Sequence, residues 1–169
     1  MQLLNCHLAI QTMAFLRVFL LLGFVSIGFG CPNGWLTHNN KCYHFSRETE
    51  TWLGAAQMCA FMKGTLVEIE TKDENYYLKA QASTTRHGDF WIALSDVEEE
   101  NSWRWMISST PAANETFTDW NPGQPNNSGG QECAALHRDF NYSWNDDDCR
   151  TNHYYICEKS NSDNTQFIG

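Results

Sequence analysis

Basic residues are scarce in this sequence: 11 Lys and Arg stand against 20 Asp and Glu in 169 residues, and the formal net charge is −9. Proteins that bind the phosphates of nucleic acid usually carry a basic patch or stripe. The composition therefore argues against nucleic acid as a partner. With 42% hydrophobic and 14% aromatic residues, the chain still has enough apolar material for a packed core.

Motifs for catalysis and for structural zinc are also missing. The sequence contains no H-E-x-x-H, no G-x-S-x-G and no paired Cys–His signature. It has no C-x-x-C pair of the kind that structural zinc sites use. The run Asp146–Asp148 fits one metal ligand and a solvated turn better than a hydrolase carboxylate pair. We therefore expect a binding protein and no enzyme.

No apolar run is long enough to cross a membrane comfortably. The longest follows Met13 and covers about 15 residues, whereas a spanning helix needs roughly 20. One Arg precedes it, and the small-x-small sequence Gly28-Phe29-Gly30 ends it, which is typical of a secretory signal peptide over residues 1–30. The alternative is a membrane anchor. Cleavage would remove Cys6 and leave an even number of cysteines, as expected of a secreted, oxidised protein.

Short sequence patterns predict one α+β domain over residues 31–158, followed by a flexible tail over 159–169. Turn residues and Cys42–Phe45 indicate a hairpin next to Cys31. A helix capped by Thr49 and stopped by Gly64 follows. Further patterns predict a strand over 65–69, a helix from the capping box at 71–74 to about residue 82, and strands at 90–94 and 103–106.

Oxygen-bearing side chains are concentrated in three stretches, 96–100, 124–132 and 145–148. The second lies in a long segment, 114–130, that is rich in Asn, Pro, Gly and Ser, and such loops in compact domains are usually functional or disordered. Calcium takes 6–8 oxygen ligands from carboxylates, amides and carbonyls. A calcium site therefore requires only that the three stretches converge.

The order of these features resembles the C-type lectin family over nearly all of residues 31–158. Trp91-Ile92-Ala93-Leu94 is similar to the family's W-I-G-L sequence, with Ala93 in place of Gly. Gln124-Pro125-Asn126 stands where the family has E-P-N or Q-P-D, and Trp144-Asn145-Asp146 matches its W-N-D motif. The arrangement is similar to mollusc shell lectins of the perlucin type. The resemblance implies a C-type lectin-like fold of the long form, with two helices, small antiparallel sheets and an N-terminal hairpin, and three disulfides: Cys31–Cys42, Cys59–Cys157 and Cys133–Cys149.

The same resemblance implies two groups of calcium ligands and a cis bond before Pro125. The sugar-binding group consists of Gln124, Asn126, Asn145 and Asp146, completed by Gln131 or by Glu132, since two registers of the family pattern select different residues. The auxiliary group consists of Asp96, Glu100, Asn127 and Glu132.

In the family's mannose pattern an acid and an amide flank each sugar hydroxyl, and the galactose pattern exchanges them. Here Gln124 and Asn126 are both amides, so the resemblance does not choose between mannose-type and galactose-type glycans. The implied function is a secreted lectin of innate immunity that recognises carbohydrate on microbial surfaces, with a homo-oligomer as a further expectation. The alternative is a lectin-like domain that binds protein or mineral.

Three sequons for N-glycosylation occur, at Asn114, Asn126 and Asn141. A glycan on Asn126 would occupy a predicted ligand position. We therefore expect Asn114 and Asn141 to be the candidate glycosylation sites and Asn126 to stay unmodified.

Overall fold

The computed structural model describes residues 30–85, 88–112 and 117–161. Residues 1–29 of the predicted signal peptide and the sequon at Asn114 lie outside these ranges, as does the tail from residue 162 onward. The last strand reaches Ser160, so regular structure extends two residues beyond the predicted domain end at 158. Within the described ranges, none of the helices combines the length and the apolar character that crossing a bilayer requires.

The fold consists of a strand hairpin, two helices and a series of short strands, which confirms the predicted α+β class. The strands are β1 (Leu36–His38), β2 (Lys41–Phe45), β3 (Thr65–Leu66), β4 (Phe90–Ser95), β5 (Arg104–Trp105), β6 (Cys133–His137), β7 (Ser143–Asp147) and β8 (Tyr154–Ser160). The helices are α1 (Trp52–Phe61) and α2 (Lys72–Thr85), and a short 3-10 helix covers Arg138–Phe140. The sheet order is β1-β2-β8-β4-β6-β7, with β3 also paired to β8 and β5 to β4.

The N-terminal hairpin forms where the sequence predicts it. Asn39 and Asn40 both have positive φ, at 43° and 61°, which asparagine tolerates in tight hairpin turns. The Cys31–Cys42 disulfide links the segment before β1 to β2. The other bridges are Cys59–Cys157 and Cys133–Cys149. All three pairs are those that the family resemblance implies.

Helix α1 is present, but the predicted details of both its ends are wrong. Its N-cap is Thr51, whose hydroxyl accepts the N–H of Gly54 at 3.2 Å, and not Thr49. At the other end the left-handed residue is Lys63, with φ 58°, and Gly64 comes one position later. Gly64 is needed there because a Cβ would lie 2.6 Å from the carbonyl oxygen of Glu158 on β8. Close packing against the sheet, and not the helix stop itself, explains this glycine.

Of the predicted strand over 65–69, only Thr65 and Leu66 form a regular strand, although Val67 still donates its backbone N–H to Ile156 of β8 at 2.9 Å. The following residues Val67, Glu68 and Ile69 are all buried. The alternation of polar and apolar residues in the sequence therefore does not correspond to an exposed and a buried side here. Helix α2 begins as predicted: the hydroxyl of Thr71 accepts the N–H of Glu74 at 3.2 Å. It continues to Thr85, three residues beyond the predicted end.

The core lies around β4, whose residues Phe90–Leu94 are all buried. Strand β4 is antiparallel to β6 and parallel to β8, so it is covered on both edges. Trp91 and Trp144 are both fully buried. This packing fixes the ends of β4, β6 and β7, from which the predicted ligand loops extend.

A charged cluster connects the hairpin to β8 and α2. Lys41 Nζ lies 2.9 Å from Glu158 Oε2 and 3.0 Å from Glu74 Oε1, and the Tyr43 hydroxyl donates to Glu74 at 2.6 Å. Burial raises the pKa of Glu158 to about 7, although the charge of Lys41 opposes this. Sequence reasoning did not identify this cluster.

Candidate functional site

Two predicted ligands are carried by strand β7, which pairs with β6. Asn145 and Asp146 face Ala135 and Ala134 of β6 in the antiparallel register. Both are buried, Asp146 completely. The side-chain N–H of Asn145 donates to the backbone oxygen of Asp146, so its amide oxygen is left for another partner. A rigid strand pair thus supports one half of the candidate site.

Asp146 joins this strand to the long loop. Its Oδ2 atom accepts the backbone N–H groups of Asn126 at 2.9 Å and Asn127 at 2.6 Å. The peptide bond between Gln124 and Pro125 is cis, as the resemblance implies. Asn127 has a left-handed backbone, with φ 48°, a conformation that asparagine adopts more readily than most residues. Gln124 and Asn126 are therefore held next to the predicted ligands of β7.

The loop that follows β4 meets the long loop on its other side. The side-chain amide of Asn127 donates to Glu100. Asp96 is buried, and its backbone N–H donates to the carbonyl oxygen of Glu132 at 3.1 Å. All three oxygen-rich stretches of the sequence therefore come together, and Asn127 contacts both of the others.

Four buried side-chain oxygens in the described ranges have neither a hydrogen bond nor an ion pair, and all four belong to predicted ligands. They are Asp96 Oδ1, Gln124 Oε1, Asn127 Oδ1 and Asp146 Oδ1. Buried polar atoms without a partner cost free energy, and such atoms are rare in folded proteins. Oxygens are also the atoms that calcium binds. The donor set fits a divalent, oxygen-binding cation.

Electrostatics at Asp96 agree with this fit. Burial raises the pKa of the Asp96 carboxyl, and the nearby charges of Glu100 and Glu132 raise it further, against hydrogen bonds from backbone N–H groups. A cation bound beside Asp96 would offset the repulsion from these two negative charges. The auxiliary group is thus poised to bind positive charge.

Gln131 and Glu132 turn towards different parts of the site. Gln131 Oε1 accepts the backbone N–H of Ser128 at 3.1 Å, and that same N–H is 2.9 Å from Asn126 Oδ1. Glu132 lies beside Asp96 through the backbone hydrogen bond described above. Gln131 therefore contacts both the long loop and Asp147, to which its side chain also hydrogen-bonds, whereas Glu132 lies with the auxiliary group.

The acidic residues after Asp146 are matched by basic partners. Asp147 Oδ2 lies 2.7 Å from His153 Nε2. Burial raises the pKa of Asp147, but hydrogen bonds from His153 and from a backbone N–H outweigh this and lower it. Asp148 lies 2.6 Å from Arg150 Nη2, and hydrogen bonds from Arg150 hold the pKa of Asp148 at about 2. Each of these two side chains is thus engaged with a basic residue.

Across the described ranges, no three His, Cys, Asp or Glu side chains are grouped as a metal centre built from those residues would require. The candidate sites described above depend instead on amides from Gln124, Asn126, Asn127 and Asn145 together with carboxylates. Of the described sequons, Asn141 is exposed, and Asn126 is exposed with its side-chain oxygen bound to the N–H of Ser128.

Glu68 is a supporting residue that sequence reasoning missed. Its side chain is buried, and Oε1 accepts the N–H groups of Ile107 at 2.6 Å and Ser108 at 3.1 Å. It fixes the turn after β5, which pairs with β4 just before Asp96. The one signal in the sequence was a charged residue between the apolar Val67 and Ile69.

The matching family model and the relatives described next indicate the same protein family. The family model described as the lectin C-type domain matches residues 48–159. Perlucin from Haliotis laevigata is 37% identical over 135 residues, which cover 77% of this chain and 83% of perlucin. A perlucin-like protein from Mytilus galloprovincialis is 34% identical over 130 residues, covering 75% of this chain and 81% of that protein.

Solved structures agree with this result. The carbohydrate-recognition domain of the mouse scavenger receptor C-type lectin superimposes with a TM-score of 0.70 at 34% identity, covering 78% of this chain and 98% of that domain. A calcium-independent type II antifreeze protein has a TM-score of 0.67 at 28% identity, covering 77% and 94% of the two chains. One fold is thus shared by a carbohydrate-recognition domain and by a protein that does not depend on calcium.

Proposed function

The chain belongs to the C-type lectin domain family, and from this premise we propose that it is a secreted lectin that binds carbohydrate in the presence of calcium. The proposed arrangement is a signal peptide over residues 1–30, a lectin domain over 31–158 and a tail over 159–169. The observation that carries the proposal is the set of four buried side-chain oxygens that have no partner among the described residues.

The proposed calcium ligands are the two groups of side chains described above. Gln124, Asn126, Asn145 and Asp146 hold the sugar-binding calcium, with Gln131 or Glu132 as the fifth ligand. Asp96, Glu100, Asn127 and Glu132 hold an auxiliary calcium. Bound calcium would supply positive charge and open coordination positions for two neighbouring sugar hydroxyls.

The chain's own side chains orient the sugar. An amide whose oxygen is directed at the cation offers only its NH₂ group, which donates. Gln124 and Asn126 therefore both donate to the sugar, and a hydroxyl proton finds no acceptor in this pair. We expect weak binding, in the millimolar range or about −4 kcal/mol, with little preference between mannose-type and galactose-type sugars.

Weak single-site binding makes a homo-oligomer part of the proposal, since several linked sites raise the avidity on a surface rich in glycans. Recognition of microbial surfaces in innate immunity is the corresponding biological role. A glycan array with calcium should show broad, weak binding. Sharp selectivity for either the mannose or the galactose class would contradict the assignment of Gln124 and Asn126.

A lectin-like domain that binds protein or mineral is the second candidate. Its support is the similarity in fold to a calcium-independent antifreeze protein, together with the two amides at 124 and 126. Elution from immobilised mannan or galactan separates the candidates. A lectin is released both by a chelator and by free sugar, whereas binding to mineral or protein does not respond to the sugar.

A further inference from the structure

A surface groove of about 390 Å³ lies beside helix α2. Tyr76 and Lys79 of α2 line it, together with Phe117, Asp119 and Asn141, the last of which lies two residues before β7. In the part of the chain that the structure describes, none of the predicted calcium ligands lines this groove. It is therefore separate from the candidate calcium sites.

Asn141 is the first residue of the sequon Asn141-Tyr142-Ser143. It is exposed, and its backbone is left-handed, with φ 52°. Its side-chain amide forms no hydrogen bond with any described residue, whereas its backbone N–H donates to Arg138. A glycan attached to the side-chain nitrogen would therefore break no contact of the folded domain.

Two aromatic rings line the groove next to this sequon. Tyr76 is 76% exposed, and Phe117 is half-buried with its ring edge-on to Trp144. A single exposed aromatic side chain is ordinary on a protein surface. Here the two rings share one groove with a possible site of glycan attachment. The negative face of an aromatic ring attracts the C–H groups on the apolar side of a sugar ring.

An acceptor for hydrogen bonds lies in the same groove. Oδ2 of Asp119 accepts from Lys79 at 2.6 Å and from Asn75 at 2.9 Å, which fixes the carboxylate in place. Its Oδ1 atom has no hydrogen-bond partner among the described residues, and the side chain is partly exposed. An N-acetylglucosamine residue carries hydroxyl and amide N–H donors as well as an apolar ring side. The groove therefore matches both kinds of surface of this sugar.

We propose that Asn141 carries an N-linked glycan and that the inner N-acetylglucosamine residues of this glycan lie in the groove, against Tyr76 and Phe117. Contact of one sugar with two rings is weak for a free ligand. Attachment at the edge of the groove raises the effective concentration to the order of millimolar or more, so the weak contact is occupied. The attached glycan then joins α2 to the segment before β7 and stabilises the folded domain.

The inference rests on the secretion part of the proposed function, because N-linked glycans are added to exported chains. In the test, Asn114→Gln and Ser128→Ala remove the other two sequons from every protein that is compared. Ser128→Ala keeps the backbone N–H that Asn126 Oδ1 accepts. Cultured eukaryotic cells express the chain with its own residues 1–30, and bacteria supply the same sequence without glycan, which is then oxidised and refolded. Mass spectrometry of the secreted protein should find a glycan on Asn141.

Urea unfolding measures the effect of the glycan on stability. Loss of the glycan should increase the equilibrium constant for unfolding roughly tenfold, as two aromatic contacts would give. In Tyr76→Ala we expect the same loss to change it by less than about twofold, because one of the two rings is gone and the sugar leaves the groove. The matched control is Phe61→Ala, which removes a ring that is 84% exposed on α1. The roughly tenfold effect should persist in this control.

Nuclear magnetic resonance tests the contact without relying on a variant. Ring currents should shift the proton resonances of the inner sugar upfield from their positions in the free glycan. The shifts should persist in Phe61→Ala and decrease in Tyr76→Ala, with folding of both variants checked by circular dichroism.

The possible failures are distinguishable. Secreted protein with an unmodified Asn141, an effect of the glycan that is equal in all three proteins, or sugar resonances at their free positions would each overturn the inference and leave the proposed lectin function standing. A chain that its own residues 1–30 do not export would overturn the inference together with the proposed secretion. Calcium uptake by the bacterial protein tests the lectin function independently of the glycan.

Discussion

Asp146 accepts the backbone N–H of Asn127 at 2.6 Å, which joins strand β7 to the long loop 19 residues earlier in the chain. The same carboxylate has a second, buried oxygen without a partner in the described part of the chain. One side chain therefore both shapes the loop and presents an oxygen to the candidate cation site. Removing the carboxylate would therefore affect both the loop and the site.

Replacing Gln124 with Glu should increase binding to neutral mannan. The change restores the acid-and-amide pair of the E-P-N pattern, gives the hydroxyl proton an acceptor and adds a negative charge next to the cation. An added charge-assisted hydrogen bond contributes about 1.5–3 kcal/mol, so we expect roughly tenfold or more. Surface plasmon resonance on immobilised mannan measures this change in binding, and Gln57→Glu is the charge control. Unchanged mannan binding would mean that residues 124–126 are not the sugar-binding tripeptide.

Stability should depend on pH through Glu158. Its pKa is raised from 4.5 in the unfolded chain to about 7, chiefly by burial. The folded state therefore holds this proton more tightly, and the contribution of Glu158 to stability falls as pH rises from about 4.5 to 7. The full effect is up to about 3 kcal/mol.

The matched variant for this effect is Glu158→Gln, which cannot ionise and can still accept the N–H of Glu68. Urea unfolding at pH 5 and at pH 8 should show the variant gaining stability relative to the wild type at the higher pH. A difference between the two proteins that stays constant with pH, or that moves the other way, would show that Glu158 does not titrate in this range.

Loss of the Cys59–Cys157 bridge should destabilise the domain more than loss of Cys31–Cys42. The bridges span 98 and 11 residues, and loop entropy predicts costs of about 4–5 and about 3 kcal/mol respectively. Unfolding of the two double Cys→Ala variants in guanidinium chloride measures the difference. Equal losses would indicate that the unfolded chain is already compact near the longer bridge.

Local patterns in the sequence predicted most of the secondary structure. Apolar spacing in 52–61 and the capping box at Thr71 depend on neighbours along the chain, so α1 and α2 were found. The cap at Thr51 was missed because Thr49 and Thr51 carry the same hydroxyl two positions apart, and the choice depends on how Trp52 enters the core, where its side chain is buried.

Contacts between distant segments could not be predicted from local sequence patterns. Oxygen-rich stretches could be identified one by one, but the family resemblance was needed to group them. The ion pairs of Lys41 with Glu74 and Glu158 join three elements, and no periodicity relates those positions. Glu68 also looked like a polar residue of a strand, whereas its carboxylate binds two backbone N–H groups from the turn after β5.

Calcium titration of the oxidised protein, followed by calorimetry, tests the central claim most directly. The account predicts saturable uptake with a dissociation constant on the order of 10⁻⁴–10⁻³ M, typical of extracellular modules, and loss of one binding event in Asp146→Asn. In 10 mM calcium such a site would stabilise the wild type by about 1–3 kcal/mol. Folded wild-type protein that takes up no calcium at millimolar concentration would contradict the account.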